Sequence, residues 1–150
     1  MALRGAPSKE GAVNRTPKVN EQVVFEDVPY TGPCPDLPDQ RTVQYVSKEE
    51  GLVTEYVDIS DMTRDWWKAL ISLPHCASWR PSDWAFALST ALIADAVNAG
   101  DMTRAAELRT RETQMWATAD SRRANKIVYS PVQAKVSEVA QIDDYRDLYG

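Results

Sequence analysis

The spacing of apolar and polar residues changes along the chain, and each change predicts a different kind of backbone. Residues 1–20 are polar, contain Gly and Pro, and show no apolar periodicity. Such a stretch buries too little surface to offset the entropy of ordering, so we expect an extended, disordered N-terminal arm.

Residues 21–40 hold the apolar run Val23-Val24-Phe25 followed by Pro29, Pro33, Pro35 and Pro38. Prolines at this density exclude a helix and predict an extended segment.

A near-alternating, β-branched pattern follows from Thr42 to Val46 and again from Leu52 to Ile59. Between the two runs stands Lys48-Glu-Glu-Gly51, which is rich in turn-compatible residues. Two such runs joined by a short polar loop predict a small β-hairpin near residues 42–59.

Helical periodicity takes over after Ser60, which with Asp61 offers a cap for a first helix that must stop at Pro74. A second helix is predicted over residues 83–98, about 25 Å long at the rise of an α-helix. Its positions are apolar on almost every side, so it belongs in a core or at an interface between subunits. We place Ser82 as its N-cap and Asp83 in its first turn.

Gly100 and Asp101 end the second helix and begin a third, predicted over residues 102–117. The third helix is crowded with charge, and Glu107 and Arg111 are spaced to pair. A short basic helix from Asp120 to Val128 and a last helix from Ser130-Pro131 toward Ile142 complete the prediction. The expected fold is therefore mainly α, with a helical hairpin core, flanking short helices, a small β-hairpin and an extended N-terminal arm.

The same patterns divide the chain into four segments. Residues 1–20 form the basic arm, residues 21–60 an acidic segment that is extended and hairpin-like, residues 61–129 a helical oligomerisation core, and residues 130–150 a C-terminal helix with an acidic tail. With 150 residues the chain is one domain with tails. No apolar run approaches the roughly 20 residues that cross a bilayer, so we expect no membrane contact.

Charge is unevenly distributed along the chain, although the net value is only −5. Residues 21–61 hold ten acids against Arg41 and Lys48, whereas residues 1–20 hold four bases against Glu10. Local charge governs contacts with partners more than the average does. The basic arm therefore stands out on an acidic chain.

Catalytic and metal-binding patterns are missing from the sequence. The six glycines are scattered and form no phosphate-binding loop. His75 is the single histidine, and we interpret it as a packed or surface loop residue. Cys34 and Cys76 lack the spacing of a zinc site, and a disulfide between them is not required. We predict a protein that is not an enzyme, uses no cofactor or metal, and keeps its thiols reduced in the cytoplasm.

Two basic groups are candidates for contacts with DNA phosphates. The first lies on the arm and the second on the short basic helix: Arg4, Lys9, Arg15 and Lys18; Arg122, Arg123 and Lys126. The arm is equally compatible with a solubilising tail, and the second group with salt bridges or solvated charge. The acidic C-terminus holds aromatic and apolar residues that suit a short docking peptide, although a disordered end fits as well: Asp144, Tyr145, Leu148 and Tyr149.

Several motifs resemble the small terminase subunits of tailed phages that infect actinobacteria. They are Leu3-Arg4-Gly5-Ala6-Pro7-Ser8-Lys9, Trp66-Trp67-Lys68-Ala69-Leu70, Trp79-Arg80-Pro81-Ser82-Asp83-Trp84, and Arg104-Ala105-Ala106-Glu107-Leu108-Arg109 continuing to Arg122-Arg123. The resemblance covers about residues 66–127, with the arm matching more loosely. It implies a subunit of the viral DNA-packaging motor.

The resemblance also implies partners and roles for the candidate residues. Such a subunit forms a ring-like homo-oligomer, recognises the packaging site of double-stranded viral DNA, and recruits the large terminase subunit with its ATPase and nuclease. The helical hairpin then builds the ring wall through Trp84, Leu88, Ala91, Leu92 and Leu108. The two basic groups contact DNA, and the tail with Asp144, Tyr145, Leu148 and Tyr149 engages the large subunit. A small terminase subunit acts in the cytoplasm of the infected host and is absent from the mature virion.

Two other functions remain open at this stage. A virion structural or adaptor protein fits the extended, proline-rich segment. A helix-turn-helix regulator is disfavoured, because residues 83–97 offer no Arg, Lys, Asn or Gln to read base edges.

Overall fold

The structure is a computed structural model that describes residues 21–132. The predicted arm (1–20) and the last helix toward Ile142 with its acidic tail lie outside the described residues, apart from Ser130–Val132. Helices account for 47% and strands for 21% of the described residues. The prediction of a mainly α fold is therefore only partly right, because two small sheets accompany four helices.

The elements follow in chain order. The strands are β1 Val23–Glu26, β2 Gln40–Ser47, β3 Gly51–Asp58 and β4 Ile127–Ser130. The α-helices are α1 Asp61–Ile71, α2 Pro81–Asn98, α3 Ala105–Gln114 and α4 Ala119–Ala124. Short 3-10 helices cover Pro74–Ser78 and Met102–Arg104.

Strands β2 and β3 form an antiparallel hairpin where the alternating pattern predicted one. The register pairs Gln40 with Asp58 at the base and Ser47 with Gly51 at the turn. Gly51 has a φ of 74°, a left-handed conformation that glycine adopts without strain. The Ile59 amide donates to the Asp39 carbonyl at 2.8 Å and closes the base of the hairpin, and Arg41 ties this base to α2.

Strands β1 and β4 form a parallel pair that the sequence analysis did not predict. Val23 pairs with Ile127 and Glu26 with Ser130, across almost the whole described chain. The predicted basic helix over 120–128 was therefore too long: α4 ends at Ala124, and Ile127 and Val128 belong to a strand. Lys126, with a φ of 57°, reverses the chain between the two. Short β-branched runs such as Ile127-Val128 do not distinguish helix from strand by periodicity alone.

The core lies where α2 crosses α1 and the end of α3. Ala87 and Ala91 are fully buried, and Trp67, Leu70 and Met115 pack around them. Small side chains on α2 let the neighbouring helix approach closely. Trp67 is buried in this core, whereas Trp66 and Trp84 are half-buried.

The connection from α2 to α3 reverses the chain at Gly100, which has a φ of 105°. The Gly100 amide donates to Val97 and the Asp101 amide to Ala96, so the last carbonyls of α2 are satisfied. Helix α3 then runs back along α2, with Arg111 donating to the Ser89 hydroxyl at 3.1 Å. Where one helix was predicted over residues 102–117, the structure has a 3-10 turn followed by α3. Helix α3 ends before Trp116, whose φ is 55°.

Candidate functional site

The short helix α4 presents the basic group that the sequence singled out. Thr118 caps it, and the Thr118 hydroxyl accepts from the Ser121 amide at 3.2 Å. Arg122 turns inward, donates to the carbonyls of Trp116 and Ala117 at 3.0 Å, and lies 5.3 Å from the centroid of the Tyr129 ring. Arg122 therefore fastens α4 to the residues on either side of it.

The other two members of that basic group lie on the surface. Arg123 pairs with Asp120 at 2.9 Å, and its side chain is 77% exposed. A pair this exposed is screened by solvent and contributes little stability, so the Arg123 guanidinium can exchange Asp120 for another anion. Lys126 is exposed at the end of the same segment. The structure thus splits the predicted triplet into one internal and two outward-facing cations.

The residues proposed for subunit contacts fall into three groups by exposure. Ala91 is fully buried within its own chain, so in this fold it offers no surface to a neighbour. Trp84, Leu88 and Leu108 are half-buried, and Leu92 is 37% exposed. Trp84 packs edge-on against Trp79 with centroids 4.8 Å apart, which places it in an aromatic cluster of its own chain.

Helix α3 has an outward face of small and basic side chains. Ala106, Arg109, Thr110 and Thr113 are all exposed and recur at helical spacing. The hydroxyls of the two threonines already have partners, since Thr110 donates to the Ala106 carbonyl and Thr113 donates to the Arg109 carbonyl. Glu112 lies on the flank of α3, one turn from Arg109, and accepts from the Trp66 indole at 3.0 Å. We call the outward set the α3 outer face.

Asp95 is a buried polar centre that the sequence analysis did not single out. Its carboxylate accepts from Arg41 Nε at 2.5 Å, from the Ser60 amide and hydroxyl at 2.9 Å, and from the Thr63 hydroxyl at 2.8 Å. Burial by itself raises the pKa of Asp95, but the hydrogen bonds from Ser60, Arg41 and Thr63 outweigh it and the pKa lies below its ordinary value. One carboxylate thus holds the hairpin, the start of α1 and α2 together. The sequence does contain a signal for this centre, because Asp95 is a charged residue inside a mostly apolar helix.

His75 is a second buried centre, so of the packed and surface positions expected for it the structure has the packed one. Its side chain has no exposed surface, with Nδ1 2.6 Å from the Tyr129 hydroxyl and Nε2 2.8 Å from the Met115 carbonyl. The rings of Phe25, Trp79 and Trp116 surround it with centroids within 6.3 Å. The imidazole thereby joins β4, the 3-10 helix Pro74–Ser78 and the end of α3.

The two contacts of His75 fix its protonation pattern. A carbonyl only accepts, so Nε2 carries the hydrogen, and in the neutral ring Nδ1 accepts from the Tyr129 hydroxyl. Burial lowers the pKa of His75, and the nearby Arg122 charge acts in the same direction against the Met115 hydrogen bond. The ring is neutral at physiological pH and has a structural role.

The described part of the chain contains little that suggests chemistry. Within residues 21–132, no group of three or more His, Cys, Asp or Glu side chains is arranged to hold a metal ion. Cys34 and Cys76 are unpaired, and burial raises the pKa of the Cys76 thiol to about 12. None of the helices in this part is both long and apolar enough to span a membrane.

Eight predicted site residues lie outside the described residues. They are Arg4, Lys9, Arg15 and Lys18 of the arm and Asp144, Tyr145, Leu148 and Tyr149 of the tail.

The phage terminase small subunit family matches residues 5–150. No curated protein and no solved structure matches the chain.

Proposed function

The chain belongs to the phage terminase small subunit family, and from this premise we propose that it is the non-enzymatic subunit of a viral DNA-packaging motor. In this role it forms a ring-like homo-oligomer, recognises the packaging site of the viral genome, and recruits and regulates the large terminase subunit. The family match carries the proposal because it covers residues 5–150, nearly the whole chain. The family predicted from the sequence is confirmed, and an actinobacterial host stays a prediction.

We propose that the ring wall is built by α2 and α3. Leu92, at 37% exposure, and the half-buried Trp84, Leu88 and Leu108 supply apolar surface to a neighbour. Ala91 is left out of this contact, because its own chain covers it. Its place is in the core that keeps the two helices together.

DNA contact is assigned to the arm with Arg4, Lys9, Arg15 and Lys18 and to Arg123 and Lys126 on the surface beside α4. Exposed cations release counterions when they meet phosphates, which gives salt-dependent binding without base specificity. Arg122 positions this surface through its carbonyl contacts. The tail residues Asp144, Tyr145, Leu148 and Tyr149 remain the proposed docking peptide for the large subunit.

No metal or cofactor takes part in this function, and ATP hydrolysis and DNA cleavage belong to the large subunit. The site of action is the cytoplasm of the infected host. Mass spectrometry of mature particles tests this location, since an abundant copy in the virion would favour a structural or adaptor protein instead.

A helix-turn-helix regulator has less support, because Ala87 and Ala91 pack α2 into the core and away from a DNA groove.

The test combines assembly with DNA binding. Mass photometry of the purified chain should give one discrete oligomer at micromolar concentration, and a monomer alone would contradict the proposal. Deletion of residues 1–20 and the double substitution Arg123→Ala/Lys126→Ala should each weaken binding to duplex DNA and reduce its salt dependence. Lys68→Ala is the control, since Lys68 is an exposed cation on α1, outside the proposed surface. Equal salt dependence in all variants would exclude both basic groups as DNA contacts.

A further inference from the structure

The side of the β2–β3 hairpin that faces away from the helices carries three strongly exposed apolar residues. Val46, Leu52 and Tyr56 are 80%, 67% and 70% exposed. Val46 pairs directly with Leu52, and Tyr56 is two alternations further along β3, so all three point to one side. We call this side the hairpin outer face.

The opposite side of the hairpin is turned toward the helices. Arg41 reaches Asp95 from this side, and Val43 is half-buried. A cleft of about 370 Å³ lies between this side and α2, with Val43, Leu92 and Ala96 in its wall. The hairpin is therefore held at its base, and its outer face is not part of the core.

Among the described residues, β2 and β3 pair only with each other. A two-stranded hairpin is marginally stable by itself, and apolar side chains on one of its faces gain stability when another surface covers them. Isolated surface apolar residues are ordinary, but three on one face of a projecting element mark an interaction surface.

Charge indicates which surface covers it. The hairpin, residues 40–58, holds Glu49, Glu50, Glu55 and Asp58 against Lys48 and Arg41, and Arg41 is already paired with Asp95. Residues 102–126 hold six bases against three acids. Arg104, Arg111 and Arg123 pair with acids of their own chain, whereas Arg109 lies on the α3 outer face without an ion pair among the described residues. An acidic element and a basic one on the same chain are complementary between two copies. The acidic hairpin repels DNA, so nucleic acid is the wrong partner for it.

The α3 outer face matches the hairpin outer face in size, and Arg109 gives it one positive charge. Ala106, Thr110 and Thr113 make a flat surface of small side chains beside Arg109, which forms no ion pair within the described residues. The ten residues of α3 span about 15 Å, and Leu52 and Tyr56 lie about 13 Å apart along their strand. The apolar row and the helix are therefore of similar length.

We propose that the hairpin outer face of one subunit packs on the α3 outer face of a second copy. The two faces are different surfaces of one chain, so the contact is head-to-tail and closes into a ring when the rotation allows it. This inference rests on the proposed assembly and names the surfaces that join. It adds a β-element to an interface otherwise attributed to helices.

Two substitutions test the contact, one on each face. Leu52→Lys places a charge on the hairpin outer face, and Arg109→Glu reverses the charge on the α3 outer face. Both sites are exposed, so the fold should persist, as circular dichroism and thermal unfolding will check. Met62→Lys and Lys68→Glu are matched controls, since these residues are 65% exposed and 75% exposed on α1. In mass photometry, each test variant should need at least tenfold more protein to assemble, whereas the controls assemble like the wild type.

Mixing the two test variants is the decisive measurement. In the mixture, the intact hairpin face of Arg109→Glu meets the intact α3 face of Leu52→Lys, and the two substituted faces carry opposite charges, so mixing should restore assembly that each variant alone has lost. Full-size oligomers in either variant alone, or a mixture that assembles no better than the variants alone, would overturn the head-to-tail contact while leaving the proposed function in place. A wild type that is monomeric would instead count against both. Loss of assembly with Leu52→Lys but not Arg109→Glu would exclude α3 as the partner surface.

Discussion

Arg41 on β2 and Asp95 on α2 form a largely buried ion pair, with Nε and Oδ2 2.5 Å apart and a sequence separation of 54. The pair joins a projecting hairpin to the helical core. Because Ser60 and Thr63 donate to the same carboxylate, the start of α1 is fixed at the same point. The orientation of the hairpin therefore depends on one acidic side chain.

Asp95→Asn should destabilise the protein by about 2–4 kcal/mol, because it leaves the Arg41 guanidinium without its counter-charge in a site that is mostly buried. Urea denaturation followed by tryptophan fluorescence measures the change. Asp65→Asn is the matched control, since Asp65 faces Lys68 in an exposed pair and its loss should change stability little. Equal effects of the two substitutions would show that the Asp95 centre is unimportant for folding.

The stabilisation from Asp95 should also disappear in acid. Its folded pKa lies below the unfolded value of about 3.9, so its contribution is present above that pH and is lost as the pH falls through the folded pKa. The difference in unfolding free energy between wild type and Asp95→Asn should therefore shrink below about pH 4. A difference that stays constant to low pH would contradict the lowered pKa.

His75 should produce a separate loss of stability at mildly acidic pH. Its folded pKa is lowered, so below the unfolded value of about 6.5 the unfolded chain takes up a proton that the folded chain does not. The contribution of the neutral His75 ring to the free energy of unfolding is fully present above about pH 6.5 and falls as the pH decreases. Because the chain has one histidine, nuclear magnetic resonance can follow its titration directly.

Tyr129→Phe is the companion variant for His75. It removes the hydroxyl that donates to Nδ1 and favours the neutral ring, so the pKa of His75 should rise and stability should fall by about 1–2 kcal/mol. Tyr56→Phe is a control on an exposed tyrosine. An unchanged titration of His75 in Tyr129→Phe would show that the hydrogen bond is not formed in solution.

Ala91→Leu should destabilise the fold by about 1–3 kcal/mol, because the site is fully buried where α2 packs in the core. Ala85→Leu places the same side chain on an exposed position of the same helix and should be tolerated. Thermal unfolding of both variants checks the difference. A tolerated leucine at position 91 would mean that α2 packs differently from the structure described.

The two cysteines should react with a thiol reagent at very different rates. Cys34 is exposed, whereas Cys76 is buried and donates to the Leu70 carbonyl, and its pKa is raised to about 12. Thiolate is the reactive form, so one thiol should react in the native protein and both in denaturant. Rapid labelling of both thiols without denaturant would show that the region around Cys76 opens readily.

The elements with local signals are the ones that the sequence predicts. Alternating β-branched residues around Lys48–Gly51 placed the hairpin, Ser60 and Pro74 bounded the first helix, and Gly100 marked the reversal between α2 and α3. The motifs around Trp66, Trp79–Trp84 and Arg104–Arg109 led to the family. Turn chemistry, caps and periodicity act between residues that are close in the chain, so they can be read without the fold.

The tertiary structure alone decided which distant residues meet. The β1–β4 pair, the burial of Ala91 inside its own chain, and the centres at Asp95 and His75 all join segments far apart in sequence. Whether Ile127-Val128 becomes strand or helix depends on the partner strand that β1 supplies, and whether Asp95 is tolerated in an apolar helix depends on Arg41 and Ser60. Such outcomes follow from packing and hydrogen-bond satisfaction across the whole molecule, for which local periodicity carries no signal.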